Sequence, residues 1–126
     1  HTFTYALFPH AGTWKEAGTV EESYQLNLPA YAVRGGQPGT AFSYTAVEPR
    51  NVVLETVKQA ENGDGVVLRM YECENARTKT VVRLPEGAQR AYLTNLLEEI
   101  QEELPIVDGK VTFMTKPFEI QTVLVK

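Results

Sequence analysis

The chain has 126 residues, 43% of them hydrophobic and 22% charged, with a formal net charge of −4. That is material for one globular domain with room for a small appendage, and twelve scattered Lys and Arg exclude a surface that tracks phosphates, so no nucleic-acid partner is expected. A single cysteine, Cys73, and two histidines exclude an internal disulfide and a zinc finger, and no apolar run approaches the roughly 20 residues that cross a bilayer. No basic-then-apolar leader is present, and no membrane partner is expected.

In chain order, Thr2 to Phe8 alternates with Phe3, Tyr5 and Leu7 on one side, which predicts a half-buried strand ending at Pro9. Thr13 followed by Glu16 fits a capping box, and Thr19 with Glu22 repeats the signature, so the helix start is ambiguous between them. Trp14, Ala17, Val20 and Tyr24 give a short amphipathic helix, weakened by Gly18 and stopped by Asn27 and Pro29.

Beyond that seam the sequence becomes β-branched and aromatic, cut by turn residues at Gly35-Gly36 with Pro38-Gly39, at 62–65, at 85–87 and at Asp108-Gly109. Strands are predicted over 30–34, 41–47, 51–60, 66–72, 78–84, 90–97, 110–115 and 118–125, packed as two antiparallel sheets. The last should pair with 110–115 across the tight turn near Pro117. One segment conflicts: Leu96, Leu97, Ile100 and Leu104 among four glutamates have helical spacing, so periodicity alone predicts a helix over 94–103.

Catalytic chemistry is sparse. His1 and His10 fall at opposite ends of one strand and cannot share a metal locally, and His10 reads as a turn histidine bonded to backbone. Glu98, Glu99, Glu102 and Glu103 lack the interleaved Asp, Asn and Gly of a calcium loop and read as a solvated acidic face. Asn62-Gly63-Asp64-Gly65 lacks the later bidentate Glu, so a hairpin turn is the better account. Arg77, Lys79 and Arg83 form a small basic stripe on one strand. No GxSxG, P-loop, GxGxxG, HExxH or CxxC occurs. The aromatic residues would make a sugar-stacking platform only if several were exposed together; at strand spacing most read as core.

Several stretches in order, "HTFTYALFPHAGTW", "SYQLNLP", "NVVLETVKQAENGDGVVLRMYE", "TNLLEE" and "KPFEIQTVLV", resemble the C-terminal region of glycoside hydrolase family 38, the α-mannosidases. The resemblance implies a mostly all-β chain, an antiparallel immunoglobulin-like β-sandwich over 29–126 with one short N-terminal α-helix. Residues 1–28, a strand plus that helix, would end a preceding β-sandwich of a longer parent. It also implies a strand at "TNLLEE", over Tyr92 to Leu97, followed by an irregular acidic connection.

On the same resemblance the zinc and the carboxylate nucleophile belong to the parent's catalytic domain, so no catalytic or metal residue and no cofactor is expected in this chain. It would then be a non-catalytic fragment, inactive alone, whose partner is the rest of the parent chain. Contact with substrate or a neighbouring domain would fall to His1, Tyr5 and His10 in the opening motif and to Arg69 and Tyr71. An independent carbohydrate-binding module is the alternative, with a carbohydrate ligand, and unpaired strand edges leave self-association open. The lone cysteine and the absence of Asn-x-Ser/Thr point to a cytoplasmic, bacterial parent.

Overall fold

The computed structural model describes residues 3–28, 30–36, 39 and 41–126. His1, Thr2, Pro29 and Pro38, which carry parts of the expectations above, lie outside the described residues. The chain divides into two compact units, His1–Thr40 and Ala41–Lys126.

In the first unit the capping box forms: the Thr13 N–H donates to Glu16 Oε2 at 2.7 Å, and the Glu16 N–H donates back to Thr13 Oγ1 at 3.3 Å. It closes a turn over 14–18 rather than the helix itself. Gly18, at φ 67°, then breaks the line, and helix α1 runs over Thr19–Asn27 with Glu21 and Glu22 in its first turn, where the dipole favours them. The helix ends where expected. Of the strand expected over Thr2 to Phe8, the described residues 3–8 form none: a strand is a paired element, and they find no ladder partner among the described residues. Nor does 30–34, for the same reason.

The second unit is a β-sandwich. Strands β1 (Ala46–Glu48), β4 (Thr78–Arg83) and β7 (Lys110–Thr115) make a three-stranded sheet in the order β1-β4-β7. Strands β2 (Val52–Gln59), β3 (Val66–Glu72), β5 (Ala91–Thr94), β6 (Ile100–Leu104) and β8 (Ile120–Val125) make a second, in the order β2-β3-β8-β5-β6. All pairings are antiparallel. Alternation puts Val82, Val111 and Phe113 of the first sheet against Leu68, Met70, Ala91, Val123 and Val125 of the second, and this shared cluster is the core. Thr80 and Thr115 sit within it as a mutually bonded pair, their hydroxyl oxygens 2.6 Å apart, so neither is left unsatisfied.

The five-stranded sheet is also covered on part of its outer face, where Val67, Leu124, Tyr92 and Ala60 form a second buried cluster. Both faces of β8 are therefore apolar, as a central strand requires. The hairpin at 62–65 joins β2 to β3 as expected. At its end Gly65, at φ 116°, approaches so closely that an added Cβ would lie 2.5 Å from the Val125 carbonyl oxygen.

Two further expectations are corrected. Strands β7 and β8 do not pair: β7 lies against β4, while β8 crosses the sandwich to lie between β3 and β5. The turn over 116–119 is a corner between sheets, with Phe118 at φ 55°. The segment 94–103 is neither helix nor one strand running to Leu97. Strand β5 ends at Thr94, a turn follows, and the acidic connection is itself edge strand β6.

Candidate functional site

Arg69 and Tyr71 share the outer face of β3, two residues apart, with Thr122 and Ile120 of β8 directly opposite them. Thr94 of β5 continues the Arg69–Thr122 row and Ile100 of β6 ends it. Arg69 is committed locally: Nε donates to Thr122 Oγ1 at 3.2 Å and Nη2 to the Leu96 carbonyl at 3.1 Å. The guanidinium thus pins the β5–β6 turn to the face of the sheet.

Other polar groups hold the same turn. Asn95 Oδ1 accepts the N–H groups of Leu97 at 2.9 Å and Glu99 at 3.0 Å, and its amide donates to Glu99 Oε2 at 2.6 Å. Glu98, in a left-handed conformation at φ 66°, turns back toward β2, where Lys58 Nζ lies 2.7 Å from its Oε1. Its second oxygen accepts the Glu61 N–H at 2.7 Å. The Lys58 bond and the Glu61 N–H hold the Glu98 carboxyl below its ordinary value, and Glu61 and Glu98 raise the Lys58 ammonium. Of the acidic face read from the sequence, Glu98 is therefore not solvated. Nearby, Arg90 lies 5.1 Å from the Tyr92 ring centroid and 3.2 Å from Glu103.

At one end of the sandwich lies a group that sequence reasoning passed over. Glu72, the last residue of β3, is fully buried. Its Oε1 accepts from Asn51 Nδ2 at 3.0 Å and the Glu74 N–H at 2.7 Å, and its Oε2 accepts the Phe118 N–H at 3.0 Å. Burial pushes this carboxyl up, but the donors of Phe118, Asn51, Glu74 and Ala76 outweigh it, and the group titrates below its ordinary value. The available signal was parity: Leu68, Met70 and Glu72 alternate inward, so the glutamate had to enter the core or break the strand.

The remaining site candidates belong to the first unit. Tyr5 is 86% exposed, its ring 6.2 Å from that of Phe3 and tilted by 35°. His10 is exposed, with Nδ1 3.3 Å from the Ala11 carbonyl and its ring beside Phe8. His1 lies outside the described residues. Thus the structure places Arg69 and Tyr71 together and Tyr5 and His10 on another unit. Among the described residues no group of three or more His, Cys, Asp and Glu could hold a metal ion, so nothing described fits a zinc centre. No described helix is long and apolar enough to cross a membrane.

These features define a β-sandwich domain whose polar groups knit its own turns together. Residues 51–123 match the glycosyl hydrolases family 38 C-terminal beta sandwich domain. The chain belongs to that family. It is 37% identical to human alpha-mannosidase 2C1 and 36% identical to the mouse protein of the same name, in each case over 98% of this chain but 13% of the relative. Alpha-mannosidase G of Dictyostelium discoideum is 30% identical over 97% of the chain and 12% of its own length. The chain thus spans about an eighth of the length of these relatives.

Proposed function

We propose that this chain is the non-catalytic terminal sandwich of a larger α-mannosidase, which packs on the rest of that enzyme and supports its catalytic domain. The observation that carries the reading is the use of its carboxylates. Glu72 and Glu98, the acids drawn furthest from water, are each bonded to backbone N–H groups and to Asn51 or Lys58, so neither is poised to move a proton. Hydrolysis of α-mannosides, and the zinc expected for it, then belong to the catalytic domain of the longer chain.

In the same reading residues 1–28 close a preceding β-sandwich. The exposed row Phe3, Tyr5 and Leu7 has the period of a strand, and no residue of 3–36 that the structure describes is buried, as for an arm completed by another sheet. A groove of about 430 Å³ between 6–8 and α1, with Leu7, Phe8 and Leu26 in its walls, supports this. His1, Tyr5 and His10 would then make interdomain contacts, whereas Arg69 serves the sandwich itself. A cytoplasmic parent fits the lone Cys73, and fractionation of source cells tests it.

The test is hydrolysis of an aryl α-mannoside, with zinc added, by the 126-residue chain and by the longer enzyme that carries it. Turnover by the longer enzyme alone is expected. Zinc-dependent turnover by the short chain would overturn the reading, and mannoside binding by the short chain without turnover would favour a carbohydrate-binding module instead.

A further inference from the structure

The β5–β6 turn is unusual in what it exposes. Leu96 and Leu97 stand 57% and 78% exposed at its tip, and Ile100 and Ile120, on the outer face of the same sheet, are each 54% exposed. A flexible tip would fold such side chains down onto the sheet, because burying apolar surface is favourable. Here it cannot: Arg69 holds the Leu96 carbonyl, Asn95 holds the Leu97 and Glu99 N–H groups, and Lys58 holds Glu98. Three separate polar clamps keep the two leucines projecting.

We infer that Leu96 and Leu97 form a preorganised knob that inserts into an apolar pocket on the remainder of the enzyme chain, with Ile100 and Ile120 as its flanks. This rests on the reading of the chain as one domain of a larger α-mannosidase. The occupant follows from length and charge. The relatives carry about seven-eighths of their length outside the matched region, tethered to it and so at high effective concentration. Exposed Glu99 stands in the same turn as the knob, so the receiving pocket is apolar with Lys or Arg at its rim. An apolar projection already held in its docking conformation loses little entropy when it docks.

The experiment is amide hydrogen exchange, read by peptide, in the 126-residue chain and in the whole enzyme. Peptides over 95–104 should exchange roughly tenfold or more slowly in the whole enzyme, and L96S/L97S should abolish that difference there while leaving peptides over 66–72 unchanged. In the short chain the same double substitution should leave the melting temperature unaltered, which separates lost docking from lost folding. Equal exchange of 95–104 in both chains would overturn the proposal. So would protection in the short chain that rises with its concentration, which would assign the knob to a second copy. Neither readout depends on mannosidase activity, so this inference can fail while the proposed function stands.

Discussion

Glu72 offers the sharpest test of how the sandwich is held at one end. Glu72→Ala would strip the Glu74 and Phe118 N–H groups of their acceptor and leave the Asn51 amide with only Thr78 Oγ1. An unsatisfied buried donor costs about 1–3 kcal/mol, and because Phe118 and Glu74 lie near solvent the low end applies, giving about 3–5 kcal/mol in all. Glu72→Gln keeps the shape but turns an NH2 group toward an N–H donor, for a loss of about 1.5–3 kcal/mol. Urea unfolding of the 126-residue chain reads both, the alanine variant moving the midpoint by about 2 M.

The pH dependence carries the sign. The folded carboxyl titrates below its unfolded value of about 4.3, so its contribution is fully present above that value and is lost as pH falls through the folded one. The gap between wild type and Glu72→Gln should therefore be widest near neutrality and close as the solution is acidified below about pH 4. An alanine variant within about 1 kcal/mol of wild type, or a glutamine gap constant down to about pH 3, would refute the clamp.

Gly65→Ala should cost about 2–4 kcal/mol in a thermal melt, because φ 116° and the Val125 carbonyl both oppose a side chain there. Leu68→Ala, at a fully buried position between the sheets, should cost about 3–4 kcal/mol by denaturant unfolding. Arg69→Ala should cost only about 1–2 kcal/mol yet clearly speed hydrogen exchange over 95–99, since it frees the Leu96 carbonyl; unchanged exchange would mean that Asn95 and Lys58 suffice.

The strands best read from the sequence are those with regular alternation between clear turn residues. Val66 to Glu72 and Lys110 to Thr115 were read to the residue, because their alternation is regular and turn residues bound them. The hairpin at 62–65 was legible from Asn-Gly and Asp-Gly alone. What failed was pairing. Nothing in "TKPFEI" says that β7 and β8 belong to different sheets; β8 finds its two ladders on β3 and β5, far away in sequence, and the Glu72 carboxylate, 46 residues from Phe118, holds the corner's N–H. Local turn chemistry suggested a hairpin, and long-range pairing made a crossing.

The segment 94–103 fails in a more instructive way. Its leucines and glutamates favour a helix by apolar spacing and by residue propensity. In the fold, Asn95 closes a tight turn and Lys58, from a strand 40 residues earlier, draws Glu98 into a left-handed conformation that ends any helix. A helix would have gathered Leu96, Leu97, Ile100 and Leu104 on one buried stripe. The observed turn and edge strand bury only Leu104 and leave the other three in water. Local preference and apolar burial are both set aside at one place, by polar contacts specific to that place. Such a departure is expected where a surface is kept for a partner, and it is the ground on which the leucine knob is proposed as a docking face.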